Sequence, residues 1–162
     1  MTYILGGWQS DFAANWARQG MSLADAFSQA VGEGLAATAL DPEDIDTGHV
    51  GNFAAELFAG QGLLGGFFGL VHPALDGLPS ARHEAACASG SVAILAATAE
   101  IEAGRYDLAC VVGIEQMRNV PGQKGAENLG SAAWVGEEFQ DAASCGRAPS
   151  PIWPTSTSAA TG

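Results

Sequence analysis

One short stretch decides the interpretation of this chain: His83-Glu84-Ala85-Ala86-Cys87-Ala88-Ser89-Gly90-Ser91. The pattern predicts an extended segment that passes through a tight Cys-Ala-Ser-Gly turn into a helix. Residues 91–99 carry no charge, and the first charged residue after the turn is Glu100. Because a helix that is apolar on every side is usually buried on every side, we expect Cys87 at the N-terminus of a core helix.

This position suits a nucleophilic cysteine. Unpaired backbone N–H groups and the positive end of the helix dipole favour a thiolate there. The small residues at positions 88–90 let a substrate carbonyl approach the sulfur and the backbone amides. The stretch therefore predicts covalent acyl transfer with Cys87 as the nucleophile. The alternative is that Cys87 is a buried, inert side chain, which is common for a free cysteine.

The composition indicates one globular domain and argues against several partners. The chain has 162 residues, of which 48% are hydrophobic, and this supports a substantial core. Its formal net charge is −12, because 6 lysines and arginines stand against 18 acidic residues. That balance opposes binding to nucleic acid or to an anionic membrane.

The cysteines and the apolar runs indicate the compartment. The chain has an odd number of cysteines: Cys87, Cys110 and Cys145. An odd number favours a reducing compartment, and their spacing is not that of metal ligands, so we expect no metal site. Cys110 lies in an apolar run and is interpreted as a packing residue. No uncharged run reaches the ~18 residues of a membrane span. We therefore expect a cytoplasmic protein without a membrane span.

Periodicity and turn residues predict alternating strands and helices. The best-defined helix spans Leu23–Thr38, with Ser22 as its N-cap. A glycine-rich helix is expected over residues 53–70, and a third helix runs from the cysteine turn to about Ala103, where Gly104 ends it. The remaining predictions are strands at residues 2–6, 47–52, 81–86 and 108–114, a surface loop at 118–125 and a short helix at 132–142.

The predicted order is β-α-β-α-β-α-β, with segment lengths that fit right-handed crossovers in a mostly parallel sheet of an α/β fold. In such sheets, ligands bind beyond the carboxyl ends of the strands. Cys87 follows the third predicted strand, so the topology and the chemistry indicate the same edge of the sheet.

Four segments, in order along the chain, resemble the thiolase family. Glu84-Ala85-Ala86-Cys87-Ala88-Ser89-Gly90 is similar to the thiolase nucleophile motif, especially that of sterol-carrier-protein-type and archaeal-like acetyl-CoA acetyltransferases. Val111-Val112-Gly113-Ile114-Glu115-Gln116-Met117 resembles the thiolase Gly-x-Glu-x-Met strand, a match that favours thiolases over ketosynthases and hydroxymethylglutaryl-CoA synthases. The other matches are Tyr3-Ile4-Leu5-Gly6-Gly7 with Asp11-Phe12, and Val50-Gly51-Asn52-Phe53 with Glu56-Leu57-Phe58 and Gln61-Gly62.

The resemblance implies an incomplete N-terminal thiolase-like half-domain over residues 1–143. It implies an acyltransferase of lipid metabolism that moves an acyl group between coenzyme A thioesters through an acyl-enzyme on Cys87. Coenzyme A thioesters would be substrates and not tightly bound cofactors, and the coenzyme A contact residues remain unassigned. The implied protein partner is a second copy of the chain or a complementary thiolase-like subunit.

Three other thiolase motifs have no match in this sequence: the Gly-His-Pro histidine, the Cys-x-Gly cysteine and an asparagine-containing motif. Val71-His72-Pro73 lacks the glycine, and His83 lies about 13 Å from Cys87 if a strand rises ~3.3 Å per residue. We expect structural or solvent roles for His49, His72 and His83. The chain alone is therefore expected to be weakly active or inactive.

Residues 144–162 are rich in Ser, Thr, Pro and Ala without a hydrophobic period, which predicts a disordered tail. The change after about Ala143 suggests a frameshift or premature stop, with an internal deletion or a deliberately short homologue as alternatives. Three functions stay open: a thiolase-type acyltransferase, a non-catalytic thiolase-like subunit or interaction module, and a non-functional fragment.

Overall fold

The computed structural model describes residues 1–135 and 137. Within these residues the strands are β1 (Thr47–Gly51), β2 (Ser80–His83) and β3 (Ala109–Gly113). The α-helices are α1 (Trp16–Gln19), α2 (Leu23–Thr38), α3 (Ala55–Ala59), α4 (Phe68–Val71), α5 (Ser89–Glu102) and α6 (Gly122–Gly130). Short 3₁₀ turns lie at Pro42–Asp44, Leu64–Phe67, Pro73–Leu75, Ala86–Ala88 and Met117–Asn119.

The three strands form one parallel sheet in the order β2-β1-β3. At its carboxyl edge Gly51 pairs with His83 on one side and with Gly113 on the other. All five residues of the central strand β1 are buried. Parallel strands and covering helices confirm the expected α/β fold, and the carboxyl ends of the strands meet at one edge.

Helices cover both faces of the sheet, because alternate residues of β1 point in opposite directions. His49 and Gly51 face α5, which contacts all three strands. Gly48 and Val50 face the opposite side, where the main apolar core lies. That core also contains Phe27 of α2, whose ring meets the rings of Phe67 and Phe68 edge to face, at centroid distances of 5.6 and 5.1 Å.

Helix α2 has the predicted limits. The Ser22 hydroxyl accepts a hydrogen bond from the backbone N–H of Asp25, and the Asp25 carboxylate accepts one from the backbone N–H of Ser22. This capping box satisfies two of the amide groups that a helix start leaves unpaired. The bonds from Ser22 also lower the pKa of Asp25.

Two predicted elements were wrong. Residues 2–6 form no strand, and Tyr3 and Ile4 are 73% and 85% exposed. β-propensity favours an extended segment, but a strand also needs a paired edge, and this segment pairs with none of the described strands. The long helix at residues 53–70 is instead broken into α3, a 3₁₀ turn and α4, because the backbone takes positive φ at Gly60 and Leu63.

The prediction of a surface loop at residues 118–125 was also wrong for residues 122–125, which belong to α6. The Asn128 amide donates to the carbonyl of Leu57 at 3.0 Å, and the Asn119 amide donates to that of Phe58 at 2.6 Å. These bonds hold the segment against α3, and a search for apolar periodicity does not detect them. Residues 132–135 form turns in place of the expected helix start. The rest of that helix and the predicted tail at 144–162, with Cys145, lie outside the described residues.

Helix α5 ends as expected, with Gly104 at a φ of +68°, but the prediction that it is buried on every side was wrong. Small side chains, including Ala93 and Ala97, are its buried residues. Ile94 and Leu95 are 47% and 68% exposed. Small residues therefore let α5 lie close to the sheet, while its larger apolar side chains face outward.

Two arginines are used to hold loops in place. Arg82 forms an ion pair with Glu56 and donates to the carbonyl of Phe53 at 3.0 Å, and the hydrogen bond from Arg82 lowers the pKa of Glu56. Arg118 donates to the carbonyls of Ala13 and Ala14 at 3.2 and 3.4 Å. Both guanidinium groups therefore contribute to the fold.

Two stacked histidines connect β1, β2 and α5. Nδ1 of His49 lies 2.9 Å from Nε2 of His83, and Nε2 of His49 lies 3.2 Å from a carboxylate oxygen of Glu100. The ring centroids are 5.1 Å apart, and His49 is only 2% exposed. Both of these hydrogen bonds form when Nε2 of neutral His83 donates to Nδ1 of His49, and Nε2 of His49 donates to the Glu100 carboxylate. The expected structural role of these two histidines is confirmed.

The histidine pair predicts a loss of stability in mild acid. Burial first, and the nearby His49 second, lower the pKa of His83 below its ordinary 6.5. When the pH falls below 6.5, His83 takes up a proton more readily in the unfolded chain than in the folded chain. The free energy of unfolding therefore falls as the pH falls. The contribution of His83 has a slope of at most about 1.4 kcal/mol per pH unit.

Urea unfolding between about pH 5 and pH 7 tests this prediction. His83→Gln keeps a donor toward His49 but cannot titrate, so its stability should decline less steeply with acid than that of the wild type. The control is His72→Gln, because His72 is exposed and its described hydrogen bond is accepted from the nearby Ala74 amide. Equal slopes for the wild type and His83→Gln would contradict the prediction.

Candidate active site

Cys87 lies between strand β2 and helix α5, in the middle of the 3₁₀ turn Ala86–Ala88. The strand-turn-helix arrangement predicted from the sequence is therefore present, at the carboxyl edge of the sheet. The thiol is free and exposed, so Cys87 is not the buried side chain of the alternative interpretation. A reagent in solution can reach the sulfur.

The residue before the cysteine has an unusual backbone. Ala86 has a φ of +48°, in the left-handed region, which costs an L-residue with a Cβ about 1–2 kcal/mol. A carboxylate oxygen of Glu84 accepts a hydrogen bond from the Ala86 N–H at 2.6 Å. The chain therefore bends sharply just before Cys87, and neighbouring side chains support the bend.

Ser89 provides further support from the other side of the cysteine. This side chain is buried, with 4% of the residue exposed. Its hydroxyl accepts a hydrogen bond from the Ala85 N–H at 3.0 Å and donates one to the Ala86 carbonyl at 2.7 Å. In the sequence Ser89 stands out only as a small residue. The signal for its role is a serine at a helix start, where the hydroxyl commonly bonds nearby backbone.

The first turn of α5 has no side-chain cap. Its N-cap is Ala88, which cannot accept a hydrogen bond through its side chain. The start of α2, by contrast, is closed by the Ser22–Asp25 capping box. The N–H groups of Ala88 and Ser89 instead bond the carbonyls of Ala85 and Ala86 in the preceding 3₁₀ turn. The helix start therefore favours negative charge through the helix dipole and not through free amides of these two residues.

A close backbone contact fixes α5 against the central strand. A Cβ atom added to Gly51 would lie 2.6 Å from Cα of Gly90 and 2.7 Å from its nitrogen. Real Cβ atoms do not approach backbone so closely, so only glycine fits at the end of β1 without displacing the helix. The first turn of α5, and with it Cys87, is thus held against the carboxyl edge of the sheet.

The Val50–Phe53 and Gly-x-Glu-x-Met segments quoted above meet beside this edge. Asn52, 2% exposed, donates to the carbonyl of Ile114 at 2.7 Å and accepts from the N–H of Ala55 at 3.0 Å. Glu115 accepts from the N–H groups of Phe53 and Ala54 at 2.8 and 3.3 Å. Asn52 and Glu115 therefore join the ends of β1 and β3 to the start of α3, a bracing role that sequence reasoning missed.

No catalytic base is bonded to the cysteine within the described residues. His49 and His83 form the buried pair described above, and His72 accepts a hydrogen bond from the Ala74 N–H at 3.2 Å. No described hydrogen bond or ion pair connects Cys87 to a histidine or a carboxylate. The described residues place the thiol just before the start of α5, but no described contact joins it to a group that takes the proton.

Cys110 provides a contrast within the same chain. It packs against the main core, and burial raises the pKa of its thiol to about 11. The prediction that Cys110 is a packing residue is confirmed. At neutral pH it stays protonated and unreactive, whereas Cys87 is accessible.

The two concave regions described in the structure lie away from Cys87. One, of about 310 Å³, is lined by the start of α2 together with Gln61, Gln116 and Asn119. The other, of about 390 Å³, is lined by the segment from Trp8 to Gln29. Cys87 lines neither of these two regions.

Residues 1–135 and 137 contain neither a membrane-spanning helix nor a cluster of metal ligands. No helix there combines the length and apolar character needed to cross a bilayer. No group of three or more His, Cys, Asp and Glu side chains there is arranged to hold a metal ion.

The fold and the turn together define a parallel α/β unit that presents a cysteine where a strand passes into a helix. Residues 3–146 match the family model of the thiolase N-terminal domain. The chain therefore belongs to the thiolase family.

Curated relatives agree with this assignment. The chain is 38% identical over 117 residues to an acetyl-CoA acetyltransferase of Methanocaldococcus jannaschii. It is 30% identical over 117 residues to an acetyl-CoA acetyltransferase of Methanothermobacter thermautotrophicus. Each match covers 72% of this chain but only 29% and 30% of the relative, respectively. The matched part of the chain thus spans under a third of the length of these proteins.

The bracing role of Asn52 predicts a measurable stability loss. Asn52→Ala leaves the Ile114 carbonyl and the Ala55 N–H without their side-chain partner, which should lower the free energy of unfolding by about 1–3 kcal/mol. Urea titration followed by tryptophan fluorescence measures the change. The exposed Gln123 of α6 supplies the control, since Gln123→Ala should stay within about 0.5 kcal/mol of the wild type. A similarly small effect of Asn52→Ala would show that the hydrogen bonds of Asn52 do not contribute to the free energy of unfolding.

Proposed function

We propose that this chain is the N-terminal part of a thiolase-type acyltransferase, with Cys87 as the residue that carries the acyl group. One observation supports this proposal above the others. Cys87 is exposed, follows a bent backbone, and precedes a helix whose first turn no side chain caps. Family membership and relatives named acetyl-CoA acetyltransferase indicate the chemistry that such a cysteine would perform.

In the proposed first half-reaction, the Cys87 thiolate attacks the carbonyl carbon of an acyl-CoA thioester. A bond forms between the cysteine sulfur and this carbon, and the negative charge moves to the carbonyl oxygen. The positive end of the α5 helix dipole is suited to stabilise that oxygen, because it is fixed by the fold and needs no reorganisation. When the oxyanion collapses, the bond to the coenzyme A sulfur breaks, and coenzyme A leaves as a thiolate that takes up a proton.

In the proposed second half-reaction, the acyl group passes from Cys87 to the carbanion of a second acyl-CoA, or back to free coenzyme A. This step needs a general base near the second substrate. In thiolases that role belongs to motifs without a match here, and no described base is bonded to Cys87. We therefore propose that the chain alone is weakly active or inactive in complete turnover. Acylation of Cys87 is the part of the reaction that it can retain.

The proposed substrates are coenzyme A thioesters, which bind and leave and are not resident cofactors. The composition is consistent with a cytoplasmic location, because the three cysteines suit a reducing compartment.

Acylation of Cys87 is the direct test of this proposal. Incubation with acetyl-CoA, followed by peptide mass spectrometry, should find one acetyl group on the peptide that contains Cys87. Cys87→Ser should remove the modification. Cys110 is an internal control, because its half-buried thiol, whose pKa is raised to about 11, should stay unmodified in the folded chain. Absence of the acetyl group from Cys87 in folded protein, or equal labelling of Cys110, would contradict the proposed role.

A second candidate is a non-catalytic thiolase-like subunit that acts by association. The exposed Ile94 and Leu95 on α5 favour it, because large apolar side chains on an otherwise small-residue helix are typical of a surface that packs on another protein. Association and acyl transfer are compatible in one protein, so this candidate replaces the first only if Cys87 is not acylated.

The association can be tested by sedimentation. We expect the wild-type chain to form a dimer or a larger species, and Leu95→Lys to shift it toward monomer, because a charge opposes burial of the α5 surface. Leu70→Lys provides the control on α4, since Leu70 is 63% exposed and lies outside α5. A well-folded wild-type monomer would rule out self-association, and then only a complementary subunit could be the partner.

A further inference from the structure

The hydroxyl of Ser89 is placed to control the backbone before the reactive cysteine. It accepts from the Ala85 N–H at 3.0 Å and donates to the Ala86 carbonyl at 2.7 Å. These two groups lie at opposite ends of the Ala85-Ala86 pair. The hydroxyl therefore closes a small ring over the segment that leads into Cys87.

This segment needs such support because of the conformation of Ala86. Its φ of +48° is disfavoured for alanine, and alanine has no polar side chain to stabilise it locally. If the ring opens, the backbone can relax toward negative φ. A change in φ at Ala86 rotates the chain that follows and moves the sulfur of Cys87 relative to the amides of α5.

The other contacts near Cys87 do not hold Ala86 in its left-handed conformation in the same way. Glu84 accepts a hydrogen bond from the Ala86 N–H, but its carboxylate is on an exposed residue, where water competes. Gly51 holds the backbone of Ser89 and Gly90 and does not contact Ala85 or Ala86 in its closest approaches. The hydroxyl of Ser89 is buried and is bonded at both ends of the strained pair.

We propose that Ser89 is a positioning residue for Cys87: its buried hydroxyl holds Ala86 in the left-handed conformation that keeps the sulfur beside the uncapped first turn of α5. The catalytic meaning of this role rests on the proposed acyl transfer. The positioning itself is a property of the fold and can be measured without an acyl substrate.

Substitution of Ser89 should affect the turn and spare the helix. The backbone N–H of Ser89 also bonds the Ala86 carbonyl, and that bond does not need the side chain. Ser89→Ala therefore keeps the start of α5 but leaves the Ala85 N–H without its acceptor. Ser91→Ala is a matched control, because Ser91 is an exposed serine in the same first turn.

The test measures the rate at which iodoacetamide alkylates Cys87 in the full chain. We expect Ser89→Ala to slow this reaction about tenfold and Ser91→Ala to leave it within about twofold of the wild type. Ser89→Thr, which restores a hydroxyl, should recover most of the rate. Alkylation of Cys110 monitors folding, because its thiol is protected only while the core is intact. Equal rates for Ser89→Ala and Ser91→Ala, with Cys110 protected, would overturn the proposal.

A measurement on the wild type covers the case in which Ser89→Ala does not fold. The Ala85 N–H should exchange with solvent deuterium at least about tenfold more slowly than a free amide, because the Ser89 hydroxyl binds it. Exchange at the free-amide rate would overturn the proposal.

Acetylation by acetyl-CoA separates the two proposals. If wild-type Cys87 is not acetylated but the alkylation difference persists, acyl transfer fails and the positioning role stands. If Cys87 is acetylated equally fast in wild type, Ser89→Ala and Ser91→Ala, acyl transfer stands and the positioning role fails.

Discussion

The close approach of β1 and α5 is the constraint on which the rest of the structure depends. Gly51 leaves no room for a Cβ between the central strand and the first turn of the helix. With both edges of β1 paired, the strand cannot shift to accommodate a larger residue. This rigid contact therefore fixes the start of α5, which directly follows the Cys87 turn.

Sequence patterns predicted the elements whose signals are local. Helix α2 has a serine cap and an apolar stripe on one face, and its limits are those expected. The segment at residues 53–70 has as many apolar residues, yet Gly60 and Leu63 take positive φ and divide it. Residues 2–6 have the composition of a strand but no paired edge. Helix and strand propensities show which secondary structure a segment can form, but tertiary contacts determine whether that structure forms in the folded chain.

The candidate site shows the same division between local and distant signals. Cys87 could be identified from the residues around it and from the resemblance to thiolases. The hydrogen bonds of Ser89 depend on the bend at Ala86, and those of Asn52 cross 62 positions to Ile114. The His49–His83 pair joins two strands whose register the sequence does not specify. Such contacts follow only once the strands are aligned in space.

The bonds that Arg82 and Arg118 make within the fold affect how fast an anionic ligand can bind. Arg82 and Arg118 are bound to groups of the fold, so they offer little positive charge to the phosphates of a molecule such as coenzyme A. The formal net charge of the chain is −12. Approach of an anion is therefore opposed by long-range repulsion, and added salt should increase the association rate, the reverse of the usual trend for phosphate-binding proteins.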